Sequence, residues 1–333
     1  MKTLYSIQYL RAIAALAVVL FHAAERSGGH FQIGAAGVDV FFVISGFIMW
    51  TISERRPVTP WRFLFDRVQR IAPSYWIVTA IMIAGAVAGL FPNMKLTTGH
   101  ILGSMIFIPE RSPSNGMIWP VLVQGWTLNY EMFFYAIFGA ALLLSRSIRL
   151  FSIASVFAAF VIAGVIFSPQ SPLLLTYTRP IILEFVAGIL LAELWLSGTI
   201  PRAGLGLALI VVALSGFAAI QLLHLEFNEL TCGPLALALV LGTVSLERSG
   251  KLPDIPLLTY LGNASYSIYL WHTLAISVVM KLMARTELPS DVATFICLVS
   301  GVLLGICAYE LVEKPLRGLL KGLSWQRSRP SPV

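Results

Sequence analysis

Long apolar runs separated by short polar stretches extend over almost the whole chain. A helix that crosses a membrane needs about 20 mostly apolar residues, and ten runs approach this length. These runs are residues 5–24, 36–53, 72–91, 123–144, 150–167, 180–197, 204–223, 232–246, 258–283 and 292–313. An eleventh run, 100–108, is too short to cross and lies in a proline-rich loop, which predicts a re-entrant or interfacial segment. We therefore predict an all-α polytopic membrane protein: a bundle of about ten transmembrane helices in one domain, 1–317, and a short cytoplasmic tail, 318–333.

Composition supports a membrane protein and excludes other classes. Hydrophobic residues make up 57% of the 333 residues and charged residues 12%, whereas a soluble domain carries about 25% charged residues. A disordered chain would be rich in charge and poor in apolar residues. The net charge of +7 comes from cations in the loops, so we expect a lipid bilayer and no nucleic acid as partner. The three cysteines lie in apolar runs without ligand-like spacing, and no metal site is expected.

The distribution of cations predicts the orientation in the membrane. If each of the ten runs crosses once, most of the 23 lysines and arginines fall on the side that holds the N-terminus. Cytoplasmic loops carry such an excess of positive charge. Both termini are therefore expected in the cytoplasm.

Two ionisable residues in the first apolar run indicate function. A charge at the centre of a bilayer costs about 2.5–3.5 kcal/mol, so such residues are retained for a reason. Arg11 and His22 are eleven residues apart, which places them on one helix face, separated by about 16 Å along the axis. This face offers a cation near the cytoplasm and a titratable base near the outside. The alternative is a snorkelling arginine and an interfacial histidine.

Acidic and amide side chains enter two further runs. Asp39 opens the second run at a depth similar to that of His22, where a carboxylate would fix the imidazole tautomer. A helix-start acid favoured by the helix dipole is the alternative. Asn129 and Glu131 lie inside the fourth run and must find partners within the bundle. Either one is suited to hold Arg11 or to contact a substrate.

Two arginines precede the third run, and a polar aromatic segment lies in the ninth. Arg67 and Arg70 are three residues apart and share one helix face, which suits bidentate binding of phosphate. Contact with anionic lipid is an equal alternative. Tyr266 and His272 lie in the ninth run, where core or interface aromatic residues are the common case.

Six segments, taken in order, resemble the membrane-bound acyltransferase 3 family. They are Arg11-x10-His22, Gly37–Phe47, Arg67–Pro73, Trp126–Tyr135, Ser265–His272 and Glu313–Arg317. The resemblance implies ten membrane spans and transfer of an acyl group, usually acetyl from acetyl-CoA, to a sugar hydroxyl. It also implies that Arg11 and His22 are required, and that Arg67 and Arg70 bind the CoA donor. The fourth segment departs from the family at Thr127, Asn129 and Met132, which leaves the role of Glu131 open.

These observations lead to one hypothesis with residues in roles. We predict an O-acetyltransferase of the bacterial inner membrane that uses acetyl-CoA, no metal, and a polysaccharide or lipid-linked oligosaccharide as acceptor. Other polysaccharide assembly proteins are candidate partners. The catalytic residues predicted are His22, Arg11, Asp39 and Glu131; the donor-binding residues are Arg67, Arg70 and Arg11; the substrate-binding residues are Asn129, Tyr266 and His272.

Two other classes of protein fit part of the pattern. The same intramembrane charges suit a proton-coupled transporter or flippase of glycan precursors. Such a protein would have no use for the arginine pair, and the sequence shows no inverted repeat. A membrane partner without enzymatic activity in polysaccharide assembly is the third candidate. Binding or hydrolysis of acetyl-CoA separates an enzyme from both alternatives.

Overall fold

Helices form wherever the apolar runs predicted them. The structure, a computed structural model, describes residues 4–286 and 288–327, with side chains as far as Leu320 in the last helix. The described residues contain no strand and form thirteen α-helices. They are α1 (Tyr5–Ser27), α2 (Gly37–Arg55), α3 (Pro60–Val87), α4 (Thr98–Met105), α5 (Gly125–Ala141), α6 (Arg146–Phe167), α7 (Pro172–Tyr177), α8 (Leu183–Ser197), α9 (Ala203–Leu222), α10 (Glu229–Arg248), α11 (Pro256–Met283), α12 (Ser290–Ala308) and α13 (Lys314–Arg327).

Ten of these helices correspond to the ten predicted spans, and the prediction of an all-α polytopic membrane protein is confirmed. Within the described residues, eight helical segments are long and apolar enough to cross a membrane. The other two helices at predicted spans are α5, which has 17 residues, and α11, which carries a polar run around Ser265 and Ser267. The tail predicted at 318–333 begins within α13, and its residues 328–333 lie outside the described part of the chain.

The long helices alternate in direction, so the bundle has two ends. We call the end at which α1 begins the proximal end and the opposite one the distal end. At the proximal end, Glu247 accepts hydrogen bonds from the backbone N–H groups of Tyr5 and Ser6, at 2.9 and 3.0 Å. At the distal end, the Ser27 and Thr294 hydroxyls are 2.5 Å apart. These contacts close α1 against α10 and α12.

An ion-pair network joins three helices at the proximal end. Glu54 on α2 pairs with Arg146 and with Arg149, whose Nη1 lies 2.8 Å from Oε1. Arg146 Nη2 also lies 2.9 Å from Glu193 Oε1 on α8. The second oxygen of Glu193 accepts from the indole N–H of Trp50 at 2.8 Å. The charged groups therefore satisfy one another where α2, α6 and α8 meet.

Glycines bring α2 and α8 into close backbone contact. A Cβ atom at Gly46 would overlap the carbonyl oxygen of Phe185, and one at Gly188 would overlap that of Val43. Small residues at such positions let membrane helices approach and gain van der Waals contact. This approach fixes the position of α2, which carries Asp39 and part of the site described below.

The short run 100–108 forms a helix that does not cross, as predicted. Thr97 caps the start of α4 by accepting from the N–H of His100 at 3.3 Å. Phe107, with φ of 60°, follows its end. Ser104 Oγ accepts from the N–H of Val121 at 2.9 Å. The loop between α3 and α5 is thereby folded back over the distal end, where it forms part of a cavity wall.

Candidate active site

Two cavities lie toward opposite ends of the bundle and share two lining residues. The proximal cavity has about 790 Å³ of empty space, part of it open to solvent, and is lined by residues of α1, α2, α3, α5 and α11. The distal cavity encloses about 3530 Å³, part of it open to solvent, beneath the loop that contains α4. Val38 and Tyr269 line both cavities. The two cavities are therefore adjacent at this pair.

Five residues singled out in the sequence line the proximal cavity. They are Arg11, Arg67, Arg70, Glu131 and Tyr266. They come from four helices, so the bundle gathers residues that are far apart in the chain. Most of the other lining residues are apolar, which places the three guanidinium groups against an apolar wall. A cavity of this kind suits a ligand with anionic groups at one end and a thin apolar or amide-containing arm.

Among the described residues, no carboxylate forms an ion pair with Arg67. Its Nη1 lies 3.7 Å from the sulfur of Met49, and its guanidinium carbon lies 5.9 Å from the centre of the Phe63 ring. Its Nε atom is buried and has no hydrogen-bond partner among the described residues. A buried donor without a partner costs free energy, and an anionic ligand would satisfy it.

Glu131 is bound by neutral side chains. Its Oε1 accepts hydrogen bonds from Tyr135 and, at 3.2 Å, from Ser45. Within the described residues, no ion pair joins Glu131 to Arg11. The sequence left open whether Glu131 holds Arg11 or contacts a substrate; the structure places it in the cavity wall, within reach of a ligand there.

His22, Asp39 and Asn129 line the distal cavity. The His22 ring stacks on the ring of His272, with centroids 5.2 Å apart and planes at 29°. His22 Nδ1 lies 3.3 Å from Glu25 Oε2. Glu25 was not singled out in the sequence, although its spacing of three residues from His22 on one helix is a usable signal.

The expected contact between Asp39 and His22 does not form among the described residues. Glu25 occupies the position that was predicted for Asp39. The carboxyl group of Asp39 instead lies next to that of Glu184 on α8, and both residues are buried. This is a correction to the predicted neighbour of the imidazole, and it follows from the close approach of α2 and α8. A catalytic role for Asp39 stays a prediction.

The three predicted substrate-binding residues have different surroundings. Asn129 lines the distal cavity, and its buried Oδ1 has no hydrogen-bond partner in the described part of the chain. Tyr266 lines the proximal cavity instead, where its hydroxyl donates to the carbonyl of Ile71 at 2.7 Å. His272 is fully buried. Its Nδ1 lies 3.1 Å from the carbonyl oxygen of Ile268. Its contact with the distal site is the stacking of its ring on the ring of His22.

An ion pair borders the distal cavity. Arg179 Nη2 lies 3.1 Å from Glu229 Oε2. Burial lowers the pKa of Arg179, but its hydrogen bonds with Glu229 raise it, and the net shift is upward. Arg179 therefore stays charged at the cavity edge. No group of three or more His, Cys, Asp or Glu side chains suited to a metal ion occurs in the described residues.

Comparison with known proteins finds one family over nearly the whole chain. Residues 4–310 match the acyltransferase 3 domain. The exopolysaccharide production protein ExoZ of Rhizobium meliloti is 56% identical over 298 residues, which cover 90% of this chain and 94% of ExoZ. A putative membrane-bound transacylase, BcsY of Komagataeibacter xylinus, is 28% identical and covers 96% of this chain and 83% of its own length.

A third relative is more distant. A putative O-acetyltransferase of Staphylococcus aureus is 24% identical over 98% of this chain, which spans 60% of that protein. No solved structure shows significant similarity to the chain. The domain match and the multi-pass helical bundle both indicate a membrane-embedded acyltransferase. The chain belongs to the acyltransferase 3 family and is a membrane-embedded acyltransferase.

Proposed function

We propose that the protein transfers an acetyl group from cytoplasmic acetyl-CoA to a hydroxyl of an exopolysaccharide or of its lipid-linked precursor. The observation that carries the proposal is that two chemically different cavities share Val38 and Tyr269. Three arginines line one of these cavities, and His22 lines the other. The similarity to ExoZ, whose name assigns it to exopolysaccharide production, supports the acceptor class.

The donor binds in the proximal cavity, which lies on the cytoplasmic side of the inner membrane. Arg67 and Arg70 lie on one face of α3 near the proximal end, where guanidinium groups bind phosphate through paired hydrogen bonds. The acyl-carrying arm then extends along the apolar wall toward Val38 and Tyr269. Arg11 is about 16 Å below His22 along the axis of α1. This separation supports a role for Arg11 at the donor rather than at the acceptor hydroxyl.

The acceptor binds in the distal cavity. Its lining includes aromatic side chains and amides that suit sugar rings and hydroxyl groups. Those groups include Trp119, Trp126, Asn93, Asn115 and Asn129. The cavity is large and open to solvent, as a chain of several sugars requires. The acceptor hydroxyl reaches His22, which lines this cavity.

The chemistry is general base catalysis by His22. His22 Nδ1 lies 3.3 Å from Glu25 Oε2. With the proton on Nδ1, Glu25 accepts this hydrogen bond and Nε2 is free to take the proton of the acceptor hydroxyl. The hydroxyl oxygen attacks the carbonyl carbon of the thioester, and the carbon–sulfur bond then breaks. The imidazolium returns the proton to the departing thiolate, so the products are the acetyl ester and free CoA.

The experiment uses the full-length protein in lipid nanodiscs with radiolabelled acetyl-CoA and a purified oligosaccharide acceptor. His22→Ala is expected to lower transfer by about 10²–10⁴-fold, the usual contribution of a general base. The matched control is His30→Ala, which removes an exposed imidazole at the same end of the bundle. Near-normal transfer by folded His22→Ala protein would refute the catalytic role. A transporter or a partner without enzymatic activity would leave acetyl-CoA unconsumed in every sample.

A further inference from the structure

A fourth arginine, Arg317, ends the family-like segment Glu313–Arg317, and the sequence assigned it no role. Arg317 is on α13, which packs against α3, the helix that carries Arg67 and Arg70. Its ion-pair partner Glu313 accepts a hydrogen bond from Ser267 on α11, the helix that also contributes Ser265 and Tyr266 to the cavity lining. Arg317 therefore adds a cation to the proximal mouth of the cavity.

The segment that precedes α13 orients the side chain of Arg317. Residues Tyr309–Glu313 form a π-helix between α12 and α13. Such segments are rare in proteins, but those that occur are often found at functional sites. Glu313, the last residue of this segment, is only 1% exposed. Its carboxylate accepts a hydrogen bond from Ser267 and pairs with Arg317. The buried carboxylate thus fixes the direction of the arginine one turn later.

The charges around the proximal mouth do not balance. Arg11, Arg67, Arg70 and Arg317 meet the carboxylates of Glu131 and Glu313, while the nearby Asp66 pairs with Arg62. Glu131 is already held by Tyr135 and Ser45. Like charges at short range repel more strongly in a weakly polar surrounding than in water. The excess of positive charge therefore favours a ligand that carries several negative charges.

We propose that Arg317 completes, with Arg67 and Arg70, a binding site for the phosphate groups of the nucleotide part of the acyl donor. Glu313 is a positioning residue that orients Arg317. The proposal rests on the proposed function and adds a residue and a division of labour to it. Arg317 binds the nucleotide end only, while the acyl-carrying arm lies deeper, past Arg11.

The test compares two donors with the full-length protein in nanodiscs. Acetyl-CoA carries the nucleotide phosphates, whereas S-acetylpantetheine is the acylated arm without them. Arg317→Gln is expected to raise KM for acetyl-CoA about ten- to hundredfold, the loss of one or two charge-assisted hydrogen bonds. For the same variant, KM for S-acetylpantetheine and kcat with either donor are expected to stay unchanged. Lys314→Gln is the control, because it removes an exposed cation of the same helix.

A second variant covers the case in which Arg317→Gln disrupts the pair with Glu313 and fails to fold. Arg317→Lys keeps a cation beside Glu313 but loses the planar fork that binds phosphate. It is expected to raise KM several-fold for acetyl-CoA alone. An unchanged KM for acetyl-CoA, or an equal rise for both donors, overturns the proposal. If wild-type protein acetylates with neither donor, the proposed function fails first, and the proposal falls with it.

Discussion

The hydrogen bond between Glu25 and His22 makes a quantitative prediction about catalysis. Glu25→Ala removes the carboxylate that lies 3.3 Å from Nδ1. Glu25 is 59% exposed in its side chain, so solvent screens the interaction and the smaller values for a hydrogen bond apply. A net loss of about 0.5–1.5 kcal/mol corresponds to a two- to tenfold fall in kcat. KM for the donor is expected to stay unchanged, because the donor binds in the other cavity.

The measurement is initial-rate kinetics in nanodiscs for four proteins: wild type, Glu25→Ala, His22→Ala and the double variant. A residue that acts through His22 adds no further loss once His22 is absent. Asp291→Ala is the control, since it removes an exposed acid at the distal end of α12. Glu25→Gln also accepts a hydrogen bond through its amide oxygen, so it is expected to retain most of the activity that Glu25→Ala loses.

Two results would refute this reasoning. If Glu25→Ala lowers the residual rate of His22→Ala as much as it lowers the wild-type rate, Glu25 does not act through His22. If Glu25→Ala raises KM for the donor and leaves kcat unchanged, the carboxylate belongs to binding rather than to the orientation of the base. A thermal unfolding curve for each variant separates both results from a loss of folded protein.

Two more predictions follow from the donor cavity and from helix packing. Arg67→Gln is expected to raise KM for acetyl-CoA about tenfold and to make that KM less sensitive to salt, because one phosphate contact is lost; a salt dependence equal to that of wild type would contradict it. Gly46→Val is expected to destabilise the bundle by about 1–3 kcal/mol, since its side chain overlaps the backbone of Phe185. Thermal unfolding in detergent measures the loss of stability. The control is Gly204→Ala, which adds a Cβ in open space. Equal melting temperatures for Gly46→Val and wild type would show that α2 and α8 separate freely.

Much of the fold was predictable because membrane helices are encoded locally. A run of about 20 apolar residues has one stable solution in lipid, a helix that satisfies its own backbone hydrogen bonds. The ten predicted spans and the short segment at 100–108 depend on nothing else. The placement of Arg11 and His22 at different depths of one helix follows in the same way from its rise and period.

The site was predictable in its parts but not in its pairings. Sequence spacing placed Arg67 and Arg70 on one face, and the structure shows that this face lines a cavity with Arg11. Sequence spacing did not predict that Asp39 would lie next to Glu184, because that contact depends on how closely α2 and α8 pack. Glu25 was overlooked even though its relation to His22 is local, since an exposed acid near a helix end has many ordinary explanations.

The amino-acid order alone determined which segments enter the membrane, which of them carry charge, and at what depth each charge lies. Those properties come from hydrophobicity and from the geometry of a single helix. Only the packed bundle decided that two cavities share Val38 and Tyr269, and that α13, which carries Arg317, packs against α3. Contacts between helices depend on side-chain shapes that meet across distant parts of the chain, and no local periodicity records them.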